Sequence, residues 1–175
     1  MRILAVSGSL QARSSNGALV EAARTASPPG VEIDVYQELA SLPAYNSDLD
    51  VDPLPVEVAD WRASLAAADG VLIACPEFGH ALPGSLKNAI DWVISSGELV
   101  GKPVAATCAG AGPGRGAQGV ASLVAVLRAV DARVVVGEPI VRGPLGPEGE
   151  IADPAALAAI AGLVADLAGG IGAAD

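Results

Sequence analysis

The chain alternates short apolar runs with longer stretches in which apolar residues recur every three or four positions. The runs at 2–7, 70–75, 102–108 and 132–137 are apolar almost throughout, which is typical of strands covered on both faces in a parallel sheet. In the run at 31–36 apolar and polar residues alternate, and this half-polar pattern favours an edge strand. We therefore predict five strands, with the second in sequence at a sheet edge.

The stretches between the strands have the spacing of amphipathic helices, which we predict at about 16–26, 55–68, 83–96, 115–130 and 154–168. Alternating strands and helices fold as right-handed crossover units, with helices on both faces of one sheet. An edge position for the second strand favours the strand order 2-1-3-4-5. The predicted fold class is therefore α/β, a flavodoxin-like three-layer sandwich around a five-stranded parallel sheet.

Composition limits the size of the domain and the choice of partners. With 175 residues and no internal repeat or linker, the chain is predicted to form a single domain, residues 1–175. The net charge is −10 and the ten basic residues are spread along the chain, so we expect no nucleic-acid partner. Two cysteines are too few for a disulfide framework or a zinc site, and we predict no metal site.

Neither end of the chain has the pattern of a targeting or membrane segment. Met1 leads directly into the first strand, without the apolar region and cleavage site of a signal peptide. The C-terminal stretch is apolar enough to suggest a membrane span, but Asp166 interrupts it. Asp153 and Pro154 form the N-cap and first position of a soluble helix. We expect a cytoplasmic protein without a membrane partner.

In this fold, ligands bind beyond the carboxyl ends of the strands, near the first and third strands. The loop after the first strand, GSLQARSSN at 8–16, offers hydroxyl, amide and guanidinium groups just before a helix. A helix N-terminus with such donors favours a phosphate group, although on the residues alone a simple helix cap is an equal alternative. The position after the first strand favours phosphate, and the residues concerned are Ser9, Arg13, Ser14, Ser15 and Asn16.

The loops after the third and fourth strands are also unusual. In PEFGH at 76–80, proline fixes φ and glycine permits a positive φ or a close approach, so backbone groups can face a ligand. The loop CAGAGPGRG at 108–116 carries almost no side chains before Arg115, which lets a broad planar group lie against it. A phosphate seat beside two such walls fits flavin mononucleotide (FMN). The predicted lining residues are Pro76, Glu77, Phe78, Gly79, His80, Cys108, Ala109, Gly110 and Gly112.

These segments resemble a known family. GSLQARSSN is similar to the GSLRxxSxN loop of the NAD(P)H-dependent FMN reductases, and PEFGHALPGSLKNAIDW at 76–92 resembles their PEYxxxxPGxLKNAxDW signature. LPAYNSDLD at 42–50 also resembles the loop before their second helix. The resemblance implies a flavodoxin-like fold, non-covalent FMN, NAD(P)H as co-substrate and a homodimer or homotetramer. It further implies that Ser9, Ser14 and Asn16 bind the phosphate and that residues 76–79 line the flavin.

The resemblance also implies hydride transfer from a nicotinamide through FMN to a small-molecule acceptor such as a flavin, quinone, azo compound or metal oxyanion. No side-chain acid or base is required, so we assign no catalytic residue. Where the family usually has arginine this chain has Gln11, and we expect Arg13 to supply the missing cation. Phe78 replaces the usual tyrosine, which keeps an aromatic wall without the hydroxyl.

Two other functions stay open on the sequence alone. A flavodoxin-type electron carrier would have the same fold and cofactor but no nicotinamide turnover. A binding module that has lost FMN would account for Gln11 in place of arginine. Within the second loop, we expect Glu77 to anchor a loop or an interface and not to donate a proton, and a lone loop residue such as His80 is more often solvated than bound to a cofactor.

Overall fold

Seven strands lie within residues 1–173, which are the residues described by this computed structural model. Five of them form a parallel sheet in the order β2-β1-β3-β4-β6, which is the predicted order 2-1-3-4-5 once a short inserted strand is allowed for. The last two residues of the predicted domain 1–175 lie outside the described part. The strands are β1 (Arg2–Ser7), β2 (Glu32–Tyr36), β3 (Gly70–Ala74), β4 (Pro103–Thr107), β5 (Ala109–Gly110), β6 (Arg133–Gly137) and β7 (Ile140–Val141).

Helices cover both faces of the sheet, so the predicted three-layer α/β fold is confirmed. One face packs against α1 and α5, and the other against α2, α3 and α4. The core is built from aliphatic side chains, with Trp61 and Trp92 as its large aromatic members. The helices are α1 (Ser15–Thr25), α2 (Val56–Ala66), α3 (Gly84–Asp91), α4 (Ala117–Ala129) and α5 (Pro154–Gly172).

Several features differ from the sequence-based expectation. Helix α3 ends at Asp91 and not near residue 96, because the chain continues as turns to Gly97, whose positive φ of 79° redirects it. Strand β6 was predicted to be covered on both faces but is only half-buried, since it forms the second edge of the sheet. The short strands β5 and β7 were not predicted, because two-residue strands leave no periodic pattern.

Helix α5 is long and apolar enough to cross a membrane by length and composition, with a mean hydropathy of 1.8. In this fold it is a core helix, because one side of it packs on the sheet through Ile160, Leu163, Val164 and Leu167. Its predicted start is confirmed: the Asp153 carboxylate accepts a hydrogen bond from the N–H of Ala156 at 2.9 Å, with proline at the first helical position.

Candidate functional site

The three predicted loops meet at the carboxyl edge of the sheet. We name them loop one (residues 8–16), loop two (76–83) and loop three (108–116). The N–H of Gly8 donates to the carbonyl of Ala74, the last residue of β3. A side chain on Gly8 would come within 3.1 Å of Leu86 and Pro76, so glycine allows this close approach. The start of loop one therefore packs directly against the start of loop two.

In loop one, two hydroxyls serve the backbone as acceptors. Ser14 is the N-cap of α1, and its Oγ accepts from the N–H of Gly17 at 2.9 Å. The Oγ of Ser9 accepts from the N–H of Gln11 at 3.3 Å. A hydroxyl that accepts one hydrogen bond still carries its own hydrogen. Capping and phosphate binding are therefore compatible here, and both hydroxyls can still donate to an anion.

The other polar side chains of loop one differ in their surroundings. Asn16 is 8% exposed, and its Oδ1 accepts from the N–H of Ala109 at 3.0 Å, which joins loop one to loop three. Ser15 is half-buried at the first position of α1, and Gln11 is exposed. The guanidinium of Arg13 reaches across to the carbonyl of Pro147 at 3.5 Å, outside the loop. The Arg13 side chain therefore contacts the segment around Pro147.

Loop two contains a tight turn from Phe78 to Ala81, whose backbones exchange hydrogen bonds of 3.0 and 3.1 Å. The two central residues, Gly79 and His80, have φ of 57° and 64°. Positive φ at both positions is the requirement of a type I′ turn, which confirms the predicted role of Gly79. The turn leaves the ring of Phe78 63% exposed beside the site.

Glu77 fastens loop two to α4. Its Oε2 accepts from the N–H groups of Gln118 and Gly119 at 3.1 and 3.2 Å, and Oε1 lies 3.2 Å from Nδ1 of His80. The N–H of Gly119, followed by His80 and the N–H of Gln118, holds the pKa of Glu77 below its usual range. Position 119 must be glycine for this contact, because an added Cβ would lie 2.9 Å from the Cα of Glu77. These contacts agree with the expected anchoring role.

Loop three offers less free backbone than predicted. Strand β5 pairs with β7, so the carbonyls of Cys108 and Gly110 accept from the N–H groups of Ile140 and Arg142, while the N–H of Ala109 donates to Asn16. The side chains of Cys108 and Ala109 are 3% and 8% exposed. These three backbone groups of 108–110 are therefore already engaged, and the exposed wall of loop three lies at residues 111–114.

The two cysteines are buried framework residues. Cys75 and Cys108 lie in the core cluster under α4. Burial raises the pKa of Cys75 to about 12 and that of Cys108 to about 11. Because the thiolate is the reactive form, both thiols are inert near neutral pH.

Two residues of the signature that follows loop two, Asn88 and Trp92, bind the segment that begins at Pro43. Asn88 accepts from the N–H of Tyr45 at 2.7 Å and donates to the carbonyl of Pro43 at 2.9 Å. The indole N–H of Trp92 donates to the same carbonyl at 2.8 Å, and the ring of Tyr45 packs edge-on against the indole. The segment 43–50 is thereby fastened to α3. From the sequence, this segment was singled out only because it resembles the loop before the family's second helix.

Three buried polar atoms within residues 1–173 have no hydrogen-bond partner there: the hydroxyls of Tyr36 and Thr107 and the Nε of Arg142. Tyr36 and Thr107 are the last residues of β2 and β4, and Arg142 directly follows β7. All three are thus at carboxyl ends of strands. Orphaned buried polar groups are rare in folded proteins, but these three atoms are closed to solvent. The groups at this edge that fit an anion such as a phosphate are the hydroxyls of Ser9 and Ser14, each of which keeps a hydrogen to donate.

A groove of about 910 Å³ opens on loop one. Its walls come from loop one, from α1 and from residues 148–151, and neither loop two nor loop three lines it. The groove therefore brings together Ser9, Gln11, Arg13 and Ser14, and it leaves the predicted ring-binding residues on a separate surface.

The strand order, together with a candidate site at the carboxyl edge of the sheet, defines a flavodoxin-like α/β protein. A family model of NADPH-dependent FMN reductases matches residues 1–143. The chain belongs to this family.

Individual relatives agree with the family. An NAD(P)H-dependent FMN reductase of Pseudomonas aeruginosa is 38% identical over 114 residues, 64% of this chain and 61% of the relative. A quinone reductase of Escherichia coli is 30% identical over 166 residues, 90% of this chain and 88% of the relative. The solved structure of a flavoenzyme NAD(P)H:(acceptor) oxidoreductase of Paracoccus denitrificans superposes with a TM-score of 0.81 at 24% identity, covering 98% of this chain and 97% of that one. At this low identity, the superposition with the Paracoccus denitrificans structure shows the fold alone.

Proposed function

We propose that this protein holds FMN non-covalently at the carboxyl edge of its sheet and transfers reducing equivalents from NAD(P)H to a small acceptor such as a quinone or a free flavin. FMN supplies the hydride chemistry when bound. The chain supplies position: loop one holds the phosphate, and loop two and residues 111–114 of loop three border the ring. We name no catalytic acid or base.

The observation that carries this proposal is the mutual fastening of the three loops. Asn16 joins loop one to loop three at 3.0 Å, and Glu77 joins loop two to the start of α4, directly after loop three. Rigid walls around a cofactor reduce the entropy lost on binding. Ser9 and Ser14, each with a spare hydroxyl hydrogen, line the same groove. Ser14 caps α1, and an anion is favoured at a helix N-terminus.

The direct test is the visible spectrum of the purified protein, followed by anaerobic addition of NADH or NADPH. We expect a yellow protein whose absorbance near 450 nm (about that of free flavins) is bleached by a nicotinamide and restored by a quinone. A flavodoxin-type carrier would bind FMN but would not oxidise NAD(P)H steadily when a quinone is added. A colourless protein whose thermal stability is unchanged by FMN would contradict the proposal.

A further inference from the structure

The groove that opens on loop one offers more space than a phosphate group needs. Its volume of about 910 Å³ is in the range of pockets that hold a whole small-molecule ligand. In the sheet order β2-β1-β3-β4-β6, loop one follows β1, and loops two and three follow β3 and β4. The groove extends the other way, toward β2, because residues 35–37 and 39–40, at and beyond the end of β2, line it. The hydroxyls of Ser9 and Ser14 therefore lie between the ring-binding loops and the rest of the groove.

Much of the lining of this groove is apolar. Ala18 and Ala22 are one helical turn apart, on the face of α1 that begins with Ser14. Two large apolar side chains of the lining, Leu10 and Leu157, are 57% and 38% exposed. Small residues along one wall leave room for a flat group, and exposed leucines are stabilised when such a group covers them.

Two polar side chains of the lining can serve a ligand. The amide of Gln37, just after β2, is exposed and offers donors and an acceptor, the pattern with which an amide pairs with the edge of adenine. Arg13 belongs to none of the ion pairs formed within residues 1–173. It donates one long hydrogen bond of 3.5 Å to the carbonyl of Pro147, so other N–H groups of its guanidinium can bind an anion.

The glutamates of the lining form no ion pair with Arg13 in the described part of the chain. Glu21 pairs with Arg24 at 2.9 Å, and the Glu150 carboxylate accepts from the N–H of Glu148 at 2.9 Å. The groove thus combines an apolar trough with a basic group and an amide.

The position of the groove limits what can occupy it. An electron acceptor has to contact the flavin ring, and the predicted ring-binding residues do not line the groove. A group attached to the flavin phosphate would enter it directly from loop one. FMN and flavin adenine dinucleotide (FAD) share the ring, the ribityl chain and the first phosphate, and FAD continues beyond that phosphate with adenosine monophosphate.

We propose that this groove binds the adenosine monophosphate half of FAD, so that the protein accepts FAD as well as FMN. The purine lies against the apolar lining with its edge at Gln37, and the second phosphate lies beside Arg13, since guanidinium groups form charge-assisted hydrogen bonds with phosphates. The proposal rests on the proposed function, because it needs the first phosphate in loop one.

The test fills the groove and compares the two flavin nucleotides. Ala40 is exposed and lines the groove, so the indole of Ala40→Trp would occupy part of it. Ala66, exposed at the end of α2 and outside the groove, provides the matched control Ala66→Trp. Dissociation constants for FMN and FAD are measured for the wild type and both variants.

We expect the wild type to bind FAD at least as tightly as FMN. Ala40→Trp should weaken FAD binding about 10-fold or more and FMN binding less than about twofold, whereas Ala66→Trp should change neither. Gln37→Leu, which has a similar size but no amide, should weaken FAD alone by about 2- to 10-fold, the range for loss of a neutral hydrogen bond.

The possible results separate this inference from the proposed function. A wild type that binds FMN but not FAD would overturn the inference and leave the proposed function intact, and a wild type that binds neither would contradict the proposed function. Unchanged FAD affinity in Ala40→Trp would overturn the inference. Equal losses of FMN and FAD in that variant would also overturn it, because they would place the flavin ring in the groove.

A measurement on the wild type covers the case in which Ala40→Trp does not fold. The arginine reagent phenylglyoxal should modify Arg13, detected by peptide mass spectrometry, and saturating FAD should slow that modification more than saturating FMN does. Equal modification rates with the two nucleotides would overturn the inference without any substitution.

Discussion

Loop one and the segment from loop two through α3 both carry family-like motifs, but their polar side chains are used in opposite ways. In the second region the side chains of the signature bind other parts of the protein. Glu77 binds the start of α4, and Asn88 and Trp92 bind Tyr45 and Pro43 in the segment 43–50. In loop one, Ser9 and Ser14 accept one backbone hydrogen bond each and keep a hydroxyl hydrogen for a ligand.

The residues of a long, specific motif can therefore stabilise the fold as well as bind a ligand. Substitutions in the second region should therefore lower the stability of the protein, whereas substitutions in loop one should lower its affinity for FMN while the fold survives.

Trp92→Ala should give the largest loss of stability. The side chain is fully buried, and its indole N–H holds the carbonyl of Pro43. Removing it should lower the free energy of unfolding by about 3–5 kcal/mol, measured by denaturant titration. Trp92→Phe, which keeps most of the ring but loses the N–H, should cost less. A loss below about 1 kcal/mol in Trp92→Ala would show that α3 does not depend on this fastening.

Ser14→Asp separates capping from ligand binding in loop one. Aspartate is as good an N-cap as serine, so the free energy of unfolding should change by less than about 0.5 kcal/mol. A carboxylate facing the phosphate should nevertheless weaken FMN binding about 100-fold or more, because like charges brought together cost several kcal/mol. Ser14→Ala is the control: it should cost about 1 kcal/mol of stability through the lost cap. Full FMN affinity in Ser14→Asp would remove Ser14 from the phosphate site.

The main features of the fold could be predicted because its pattern is repeated along the chain. Apolar strand runs, the half-polar edge strand β2 and the Asp153–Pro154 start of α5 each carry a local signal, and together they allow one topology. The ribbon of β5 and β7 carries no such signal. Its pairing is a long-range contact between two glycine-rich or irregular segments, and only the folded chain shows it.

The candidate site was predictable as a set of loops but not as a set of contacts. Which atoms can still bind a ligand depends on contacts between distant segments of the chain. Strand β7 binds part of the backbone of loop three, and the Arg13 side chain contacts the carbonyl of Pro147.

Glu77→Gln should give the smallest effect and a distinctive dependence on pH. The N–H of Gly119, with His80 and Gln118, lowers the folded-state pKa of Glu77. A lowered carboxyl pKa stabilises the fold above the unfolded-state pKa of about 4.3, and that stabilisation is lost as the pH falls through the folded-state value. At pH 7 the variant should melt on the order of 2 °C below the wild type, and the gap should close in acid. Thermal melts at pH 7 and at acidic pH measure this. Because Glu77 belongs to the framework, the ratio of FMN to riboflavin affinity should stay unchanged. A rise in that ratio would place its carboxylate beside the phosphate, where it would repel the anion, and would erase the contrast between the two regions.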